Sequence, residues 1–448
     1  MGDVPHKDLI SFSVISIMPQ VVHDRILLFI PQDHRDPFDD EADIYVVNTC
    51  TVTGKGDVES RRLIRGAIRR NAKARVVVTG CYAQTRPGEV AGIEGVSMVL
   101  GNEEKYAIMD YLKQDGNHTE QHQVFVGDIS NASVFSHPGP TDFPARTRAF
   151  LKVQDGCDSR CSYCIVPFAR GGSRSLNSDD VIGQVRALDR SGCKEIVLCG
   201  VHLGGYGRDL SPLYPKTTLA SLMERILSET EIPRIRLSSI EPREITDELI
   251  GLMASEDRIC RHLHIPFQSG DDDILRRMNR NYTVEFFGDL VSKIHKEIED
   301  AGIGCDVMVG YPGEEELHFE KTCQLIERLP ITYLHVFAYS PRSGTAAAGL
   351  KETVKGDVKR GRSEVIRGLG EGKNTVFKER YIGRVVDILV EENRDDLTDM
   401  FKGYTGNYLK VLLGSDPEDP SFVNEVVGVR LSGMVNDALS GEVLRGGK

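Results

Sequence analysis

Apolar residues along this chain come in short runs separated by amphipathic stretches. "ADIYVVNTC" (Ala42–Cys50) and "ARVVVTGC" (Ala74–Cys81) are nearly continuous apolar runs, as in strands buried on both faces. Between them, Leu63, Ile64, Ala67 and Ile68 recur at helical spacing within "ESRRLIRGAIRRNAKAR" (Glu59–Arg75). Together these predict a βαβ unit with a parallel sheet. From Arg148 to about Thr345, six further apolar runs alternate with helical stretches: "AFLKVQ", "EIVLCGVHL", "RIRLSSI", "HLHIPFQSG", "GCDVMVGYPG" and "YLHVFAYS". Six βα units predict a partial or complete βα barrel. Val354–Arg380 predicts a helical connector richer in glycine than a helix favours. "RVVDILVEE", "FKGYTGNYLKVLL" and "EVVGVRLSG", divided by polar turns, predict the strands of a small β-barrel or sandwich. The polar stretch Ser130–Thr147 reads as a linker. The early apolar stretch "KDLISFSVISIMPQ" is short and lacks a small-residue cleavage site, so it reads as a strand and not as a signal peptide.

A chain of 448 residues exceeds one compact core. The expectation is an α/β protein in three parts: residues 1–135 as an N-terminal α/β domain, 145–375 as the barrel, and 376–448 as the small β domain. No apolar run approaches the roughly 20 residues of a membrane span, and a cytoplasmic protein is expected. In a reducing compartment, ten cysteines are better read as buried thiols or metal ligands than as disulfides. The net charge of −12 argues against a protein that coats nucleic acid indiscriminately. Local patches decide RNA binding, however, and Glu59–Arg75 holds seven basic residues against one acid. A solvated helix face accounts for the same pattern.

The chemistry concentrates in "LKVQDGCDSRCSYCIVPFARGG" (Leu151–Gly172), where Cys157, Cys161 and Cys164 follow the first barrel strand in a C-x3-C-x2-C spacing. A structural zinc site takes four ligands. Three thiols in one loop suit a [4Fe–4S] cluster with one iron open to a ligand. The competing reading is zinc completed by Cys193, Cys199 or His202. Cys50 and Cys81 each end a buried parallel strand, where ligands of such sheets gather. They read as a ligand pair, against the alternative of two packing thiols. Cys193, Cys199, Cys260, Cys305 and Cys323 lack matched spacing and read as packing residues.

The three-cysteine loop, with Tyr163 before its third thiol, resembles the radical S-adenosylmethionine (SAM) enzymes. Joined by "NTCTVT" (Asn48–Thr53), "GCYAQ" (Gly80–Gln84) and the terminal β segment, it resembles the methylthiotransferases. That resemblance covers about nine-tenths of the chain, from Ala42 on. It implies a radical cluster on Cys157, Cys161 and Cys164, with SAM chelated at the open iron and cleaved to a 5′-deoxyadenosyl radical. It also implies an auxiliary [4Fe–4S] cluster held by Cys50 and Cys81, and a C-terminal TRAM domain that binds RNA. "IVPFARG" (Ile165–Gly171), "GVHLGGYG" (Gly200–Gly207), "HLHIPFQSG" (His262–Gly270) and "HVFAYSPRSGTAAA" (His335–Ala348) resemble one branch. That branch 2-methylthiolates N6-threonylcarbamoyladenosine beside the tRNA anticodon. Other branches take isopentenyladenosine or a ribosomal-protein aspartate. The implied partners are tRNA, a low-potential electron donor such as flavodoxin or ferredoxin, and a sulfur donor, with no membrane.

Candidate cofactor contacts are Tyr163, Gly204 and Gly205 in the turn "LGGYG", Glu241, Gln268, Ser269, Asp306 and Arg170. Arg170 and Arg174 suit a carboxylate or a phosphate. Arg384, Lys402, Tyr404, Tyr408 and Lys410 mix basic and aromatic residues as RNA-binding faces do. One feature departs from the family: its auxiliary cluster has a third cysteine upstream, and here no cysteine precedes Cys50. Ser13, Ser16, His23 and His34 are the alternative ligands in that stretch. The favoured explanation is a start that differs from the natural one. The others are a non-cysteine or exogenous ligand, and a tRNA-binding iron–sulfur protein that cleaves SAM without inserting sulfur.

Overall fold

The computed structural model describes residues 26–29, 42–114, 122–136, 147–210, 217–351, 353–414 and 420–444. The stretch 7–20, the alternative ligands Ser13, Ser16, His23 and His34, and residues 137–146 of the expected linker lie outside them.

Chain contacts group the described residues into two compact units. The first draws on 1–142, 154–175 and 340–349; the second on 143–153, 176–339 and 350–448. These units are not consecutive along the chain. The three-cysteine loop groups with the N-terminal sheet, and the terminal β segment groups with the barrel strands.

The first unit is built on a five-stranded sheet of β1 (Ile26–Phe29), β2 (Ile44–Thr49), β3 (Arg75–Gly80), β4 (Met98–Leu100) and β5 (Gln123–Phe125). The strands lie in sequence order and every pairing is parallel. The helix Gly54–Arg70 crosses from β2 to β3, as the apolar period predicts. Alternation divides the sheet's two faces. Tyr45, Val47, Val76 and Val78 pack with Leu63, Ile64 and Ala67 of that helix. Ile44, Val46, Val77, Met98 and Leu100 pack with Ile108 and Leu112 on the other side. Helices on both faces explain why β2 and β3 are apolar without interruption.

The second unit holds the barrel strands: β6 (Arg148–Asp155, which ends in the first unit), β8 (Glu195–Gly200), β9 (Arg234–Leu237), β10 (His262–Gln268), β11 (Gly302–Val309) and β12 (Tyr333–Ala338). All six expected runs are strands. The two-residue strand β7 (Arg174–Ser175) pairs antiparallel with the end of β6. β8 and β9 are parallel, as are β10, β11 and β12. A hydrogen bond from the Ile240 N–H to the His264 carbonyl (3.0 Å) carries the chain from the end of β9 to β10. This is a partial barrel. The connector is the helix Gly356–Glu379. After it, β13 (Val385–Arg394), β14 (Phe401–Thr405), β15 (Lys410–Leu413), β16 (Val426–Val435) and β17 (Ala438–Val443) close into a small barrel.

One buried network fastens that small barrel to the strands before it. Glu195, fully buried on β8, accepts from Arg236 Nε at 2.7 Å and pairs with Arg234 Nε at 2.9 Å. The same arginines donate to the carbonyls of Tyr404 (3.2 Å), Thr405 (3.1 Å) and Gly406 (3.0 Å). Burial alone would raise the Glu195 pKa; Arg236 and Arg234 outweigh it and hold the carboxyl at about 2. The folded pKa is depressed, so the stabilisation is present above the unfolded value near 4.5 and is lost as pH falls toward about 2. Glu195→Gln is therefore expected to cost about 3–5 kcal/mol at pH 7, since two buried cations lose their partner. The gap in melting temperature between parent and variant should narrow between pH 5 and pH 3. A gap of constant size across that range would contradict the assignment.

Candidate iron–sulfur site

All five cysteines singled out as ligands fall in the first unit. Thr49 and Gly80 are register partners at the ends of β2 and β3, so Cys50 and Cys81 leave neighbouring strands side by side. Gly80 sits at φ +95°, and a Cβ there would lie 2.3 Å from the Thr49 carbonyl oxygen. Only glycine lets the chain turn so tightly into the short helix Cys81–Thr85. Both thiols are buried. Burial, reinforced by the nearby Cys81, pushes the Cys50 thiol up to about 11. Ser60 brackets Cys50, with its Oγ accepting from the Cys50 N–H at 3.2 Å and donating to its carbonyl at 3.1 Å.

The second loop opens at Gly156 (φ +74°), where a Cβ would overlap the Gly172 carbonyl oxygen at 1.8 Å. The Cys157 N–H donates to the Gly171 carbonyl (3.0 Å) and the Cys164 N–H to that of Cys161 (3.1 Å). These bonds close the loop on itself. Cys157, Cys161 and Cys164 are partly exposed, and none of the ten cysteines is in a disulfide. Three accessible thiols on one tight loop, whose single carboxylate, Asp158, accepts from the Ser173 N–H at 3.1 Å, are a donor set suited to an iron–sulfur cluster and not to a hard cation. Cys50 and Cys81 supply two more thiols of the same kind. The unit's described residues contain no sixth cysteine.

Three buried arginines, Arg170, Arg174 and Arg342, brace these loops. Arg170, six residues after Cys164, points its Nε at the Cys81 Sγ (3.2 Å) and its Nη1 at Asp155 Oδ2 (3.5 Å). Burial works against its charge, and Cys81 and Asp155 outweigh that. The sequence reads Arg170 as suited to a carboxylate or a phosphate; its partners within the protein are a thiol and a buried aspartate. Arg174 is likewise committed, donating to the carbonyls of Arg170 (2.9 Å) and Gly172 (3.0 Å) and facing Glu103 (3.3 Å). Arg342 comes from the segment Ser340–Gly349. It pairs with Asp57 (2.7 Å) and donates to the Thr51 carbonyl (3.1 Å), beside Cys50. Five residues on, the Ala347 N–H donates to the Ser162 carbonyl (2.8 Å), between the second and third thiols of the cluster loop. One short strap therefore touches both cysteine loops. Sequence reasoning did not single out Arg342 or Asp57.

The remaining candidates lie in the second unit, apart from Tyr163, which is partly buried in the cluster loop. A Cβ on Gly204 would strike Glu244 at 2.5 Å. The glycine serves packing on a carboxylate that is itself held by His202 (2.9 Å) and Arg208 (2.8 Å). Gly205 packs instead beside His202, whose Nδ1 a Cβ would approach to 3.3 Å. Glu241 is gripped by Arg280, with one oxygen 3.0 Å from Nη1. Gln268 has φ +68° at the bulge ending β10, and Ser269 is buried beside it. Asp306 on β11 faces His264 Nε2 on β10 (3.3 Å) and His335 Nδ1 on β12 (3.5 Å). Ser239 fixes the other His264 nitrogen at 2.7 Å. This polar group shares one face of three adjacent strands and can hydrogen-bond a polar ligand. Of its members, sequence reasoning named only Asp306. The repeat of His262 and His264 two apart in "HLHIP" was an available signal.

In the terminal barrel, Tyr404 and Tyr408 stack on each other (5.1 Å), with Arg148 over one ring (4.9 Å) and Arg236 over the other (4.7 Å). Arg384 pairs with Asp300 (2.8 Å) and Lys410 with Asp395. These side chains have partners within the protein. Lys402 makes no ion pair among the described residues.

Comparison with known proteins agrees with this geometry. The chain matches the Radical SAM superfamily over residues 151–326 and Uncharacterized protein family UPF0004 over residues 32–101. A solved structure of the radical S-adenosylmethionine methyltransferase TsrM from Kitasatospora setae superposes with a TM-score of 0.53 at 16% identity, covering 69% of this chain and 66% of that one. That likeness concerns the fold. Fold and thiol loop thus define a radical SAM enzyme. Threonylcarbamoyladenosine tRNA methylthiotransferase MtaB of Bacillus subtilis is 41% identical over 401 residues, 89% of this chain and 87% of that protein. The Aquifex aeolicus protein of the same name is 38% identical, over 84% of this chain and 92% of its own. A tRNA-2-methylthio-N(6)-dimethylallyladenosine synthase of Clostridium botulinum is 31% identical, over 90% of this chain and 89% of that protein. The chain belongs to the threonylcarbamoyladenosine tRNA methylthiotransferase family. Among the described residues no helix is long and apolar enough to cross a membrane.

Proposed function

We propose that this chain attaches a methylthio group to carbon 2 of N6-threonylcarbamoyladenosine, beside the anticodon of tRNA. One observation carries the reading. The three-thiol loop and the Cys50–Cys81 pair stand in one compact unit, in a chain similar over most of its length to proteins named for that activity. The cofactors, two [4Fe–4S] clusters and SAM, supply the one-electron chemistry when bound. Cys157, Cys161 and Cys164 would hold the radical cluster, and Cys50 and Cys81 two corners of the auxiliary one. Arg170 orients Cys81 from the radical-cluster loop, and the Arg342 strap fixes the Cys50 turn. The target base must leave its stack to be reached, which an anticodon loop permits. A flavodoxin or ferredoxin would deliver electrons, and a separate donor the sulfur. Tyr163 and the Asp306–His264–His335 group are the contacts best placed by chemistry for cofactor or substrate.

The competing reading, SAM cleavage without sulfur insertion, is not favoured by the similarity to proteins named as methylthiotransferases. The test is anaerobic reconstitution with iron and sulfide, then incubation with threonylcarbamoyl-modified tRNA, SAM and reductant. Digested nucleosides are read by mass spectrometry. The 2-methylthio derivative is expected. Cleaved SAM with unchanged threonylcarbamoyladenosine would overturn the first reading and support the second.

A further inference from the structure

We propose that the outward stripe of the helix Gly54–Arg70 is a docking surface for the phosphate backbone of the substrate tRNA, a role that rests on the tRNA reading above. The helix buries Leu63, Ile64 and Ala67 against the sheet and turns Arg62, Arg65, Arg69 and Arg70 to solvent, with Lys73 just beyond its end. Some of this charge has a partner inside the protein. Arg61 donates to the Tyr82 hydroxyl at 2.9 Å, which in turn donates to Glu89 at 2.9 Å. Arg62 pairs with Glu59 at 2.8 Å. Arg69 and Arg70 lie in the last turn, where positive charge complements the helix dipole.

Arg65 has none of these explanations. It sits more than a turn before the helix end and makes no ion pair among the described residues, and the same holds of pairing for Arg69 and Lys73. Arg61, Arg65 and Arg69 repeat at i, i+4 and i+8, a spacing at which like charges oppose helix formation. A protein of net charge −12 has acidic residues in plenty; nearby Glu59 and Glu89 are engaged with Arg62 and Tyr82, and among the described residues Arg65, Arg69 and Lys73 form no ion pair. A cationic stripe kept against its own repulsion suits a polyanion that is absent from the free protein.

The geometry fits one polyanion in particular. The helix starts four residues after Cys50, with Thr53 as its N-cap. At about 1.5 Å rise per residue, Arg62, Arg65 and Arg69 stand roughly 12 to 23 Å along the axis from that end. That is too far to touch a base undergoing chemistry near Cys50, and within reach of the stem from which the base projects.

The test uses full-length reconstituted protein and threonylcarbamoyl-modified tRNA, with the dissociation constant measured by fluorescence anisotropy from about 50 to 300 mM KCl. Each lost phosphate contact lowers the salt slope by about 0.7 to 1. The variant Arg65→Gln/Arg69→Gln/Lys73→Gln should show a slope shallower by about two to three and affinity weaker by ~10- to 100-fold near 150 mM. Arg65→Lys/Arg69→Lys/Lys73→Arg, which keeps the charges, should bind as the parent does. A control with equal charge removed from exposed barrel helices, Arg276→Gln/Lys296→Gln/Arg328→Gln, should keep the parent slope. An unchanged slope in the first variant overturns the proposal and leaves an acidic protein as the partner of this face. Equal loss in the control also overturns it, because net charge and not this surface would then be responsible. A parent that fails to bind the tRNA overturns the functional reading itself.

Discussion

Cys157→Ala is expected to stop both SAM cleavage and methylthio transfer, whereas Cys81→Ala should stop transfer alone. The two substitutions remove the same atom from sites that do different work. Cys157 is one of three thiols on a loop closed by its own backbone bonds, and a cluster with two thiolates left cannot be held there. Cys81 is one of only two thiols found at the ends of β2 and β3. Ligation and assembly are coupled, so losing half of that set should abolish the auxiliary cluster. Iron per reconstituted chain should fall from about eight to about four in either variant, as expected of two four-iron clusters. The variants separate on 5′-deoxyadenosine release, which Cys81→Ala should retain. If Cys81→Ala keeps about eight irons and full transfer, Cys81 is a packing thiol. If the parent itself binds about four, lost on Cys157→Ala, the chain holds the radical cluster only.

The elements were legible because each carries a strong period: apolar runs for strands covered on both faces, and helical spacing for the crossover between them. The ends of those strands were legible too, which is why Cys50 and Cys81 were paired correctly as neighbours. What the sequence hid are pairings between distant residues. Arg170 and Cys81 are 89 positions apart and Arg342 and Asp57 are 285 apart. No local pattern marks either. Composition alone does not say which of two uses a residue type serves. Gly204 looks like an opening for a ligand, but its missing side chain accommodates Glu244. Tyr404 and Tyr408 look like stacking platforms, but arginines from β6 and β9 already cover them. The division into units was hidden for the same reason. The strap Ser340–Gly349 follows the last barrel strand, yet its partners are Thr51, Asp57 and Ser162.

Arg170→Met is the sharpest probe of how the two cysteine loops depend on each other. The guanidinium is buried and works in two directions, toward the Cys81 sulfur and toward Asp155. Methionine fills much of the space and supplies neither bond. Asp155, itself buried, would keep the Gly156 N–H (2.9 Å) and a more distant Arg174 (3.9 Å), so the radical-cluster loop retains its closure. The Cys81 sulfur loses its hydrogen bond from Arg170, and such a bond to a ligand sulfur both orients it and tunes the cluster it holds. Outer-shell losses of this kind cost about 10- to 100-fold in metal affinity or activity. Breaking a buried ion pair costs about 3–5 kcal/mol. Methylthio transfer should therefore fall by about 10- to 100-fold with SAM cleavage largely kept, and the melting temperature should drop. Arg170→Lys keeps the charge but not the two-way fork, so it should recover stability better than transfer. Redox titration followed by EPR supplies the readout that packing alone would not move: in whatever auxiliary cluster remains, the midpoint should shift to lower potential. Parent-like iron, potential and transfer in Arg170→Met would show that the 3.2 Å contact to Cys81 has no part in holding or tuning the cluster.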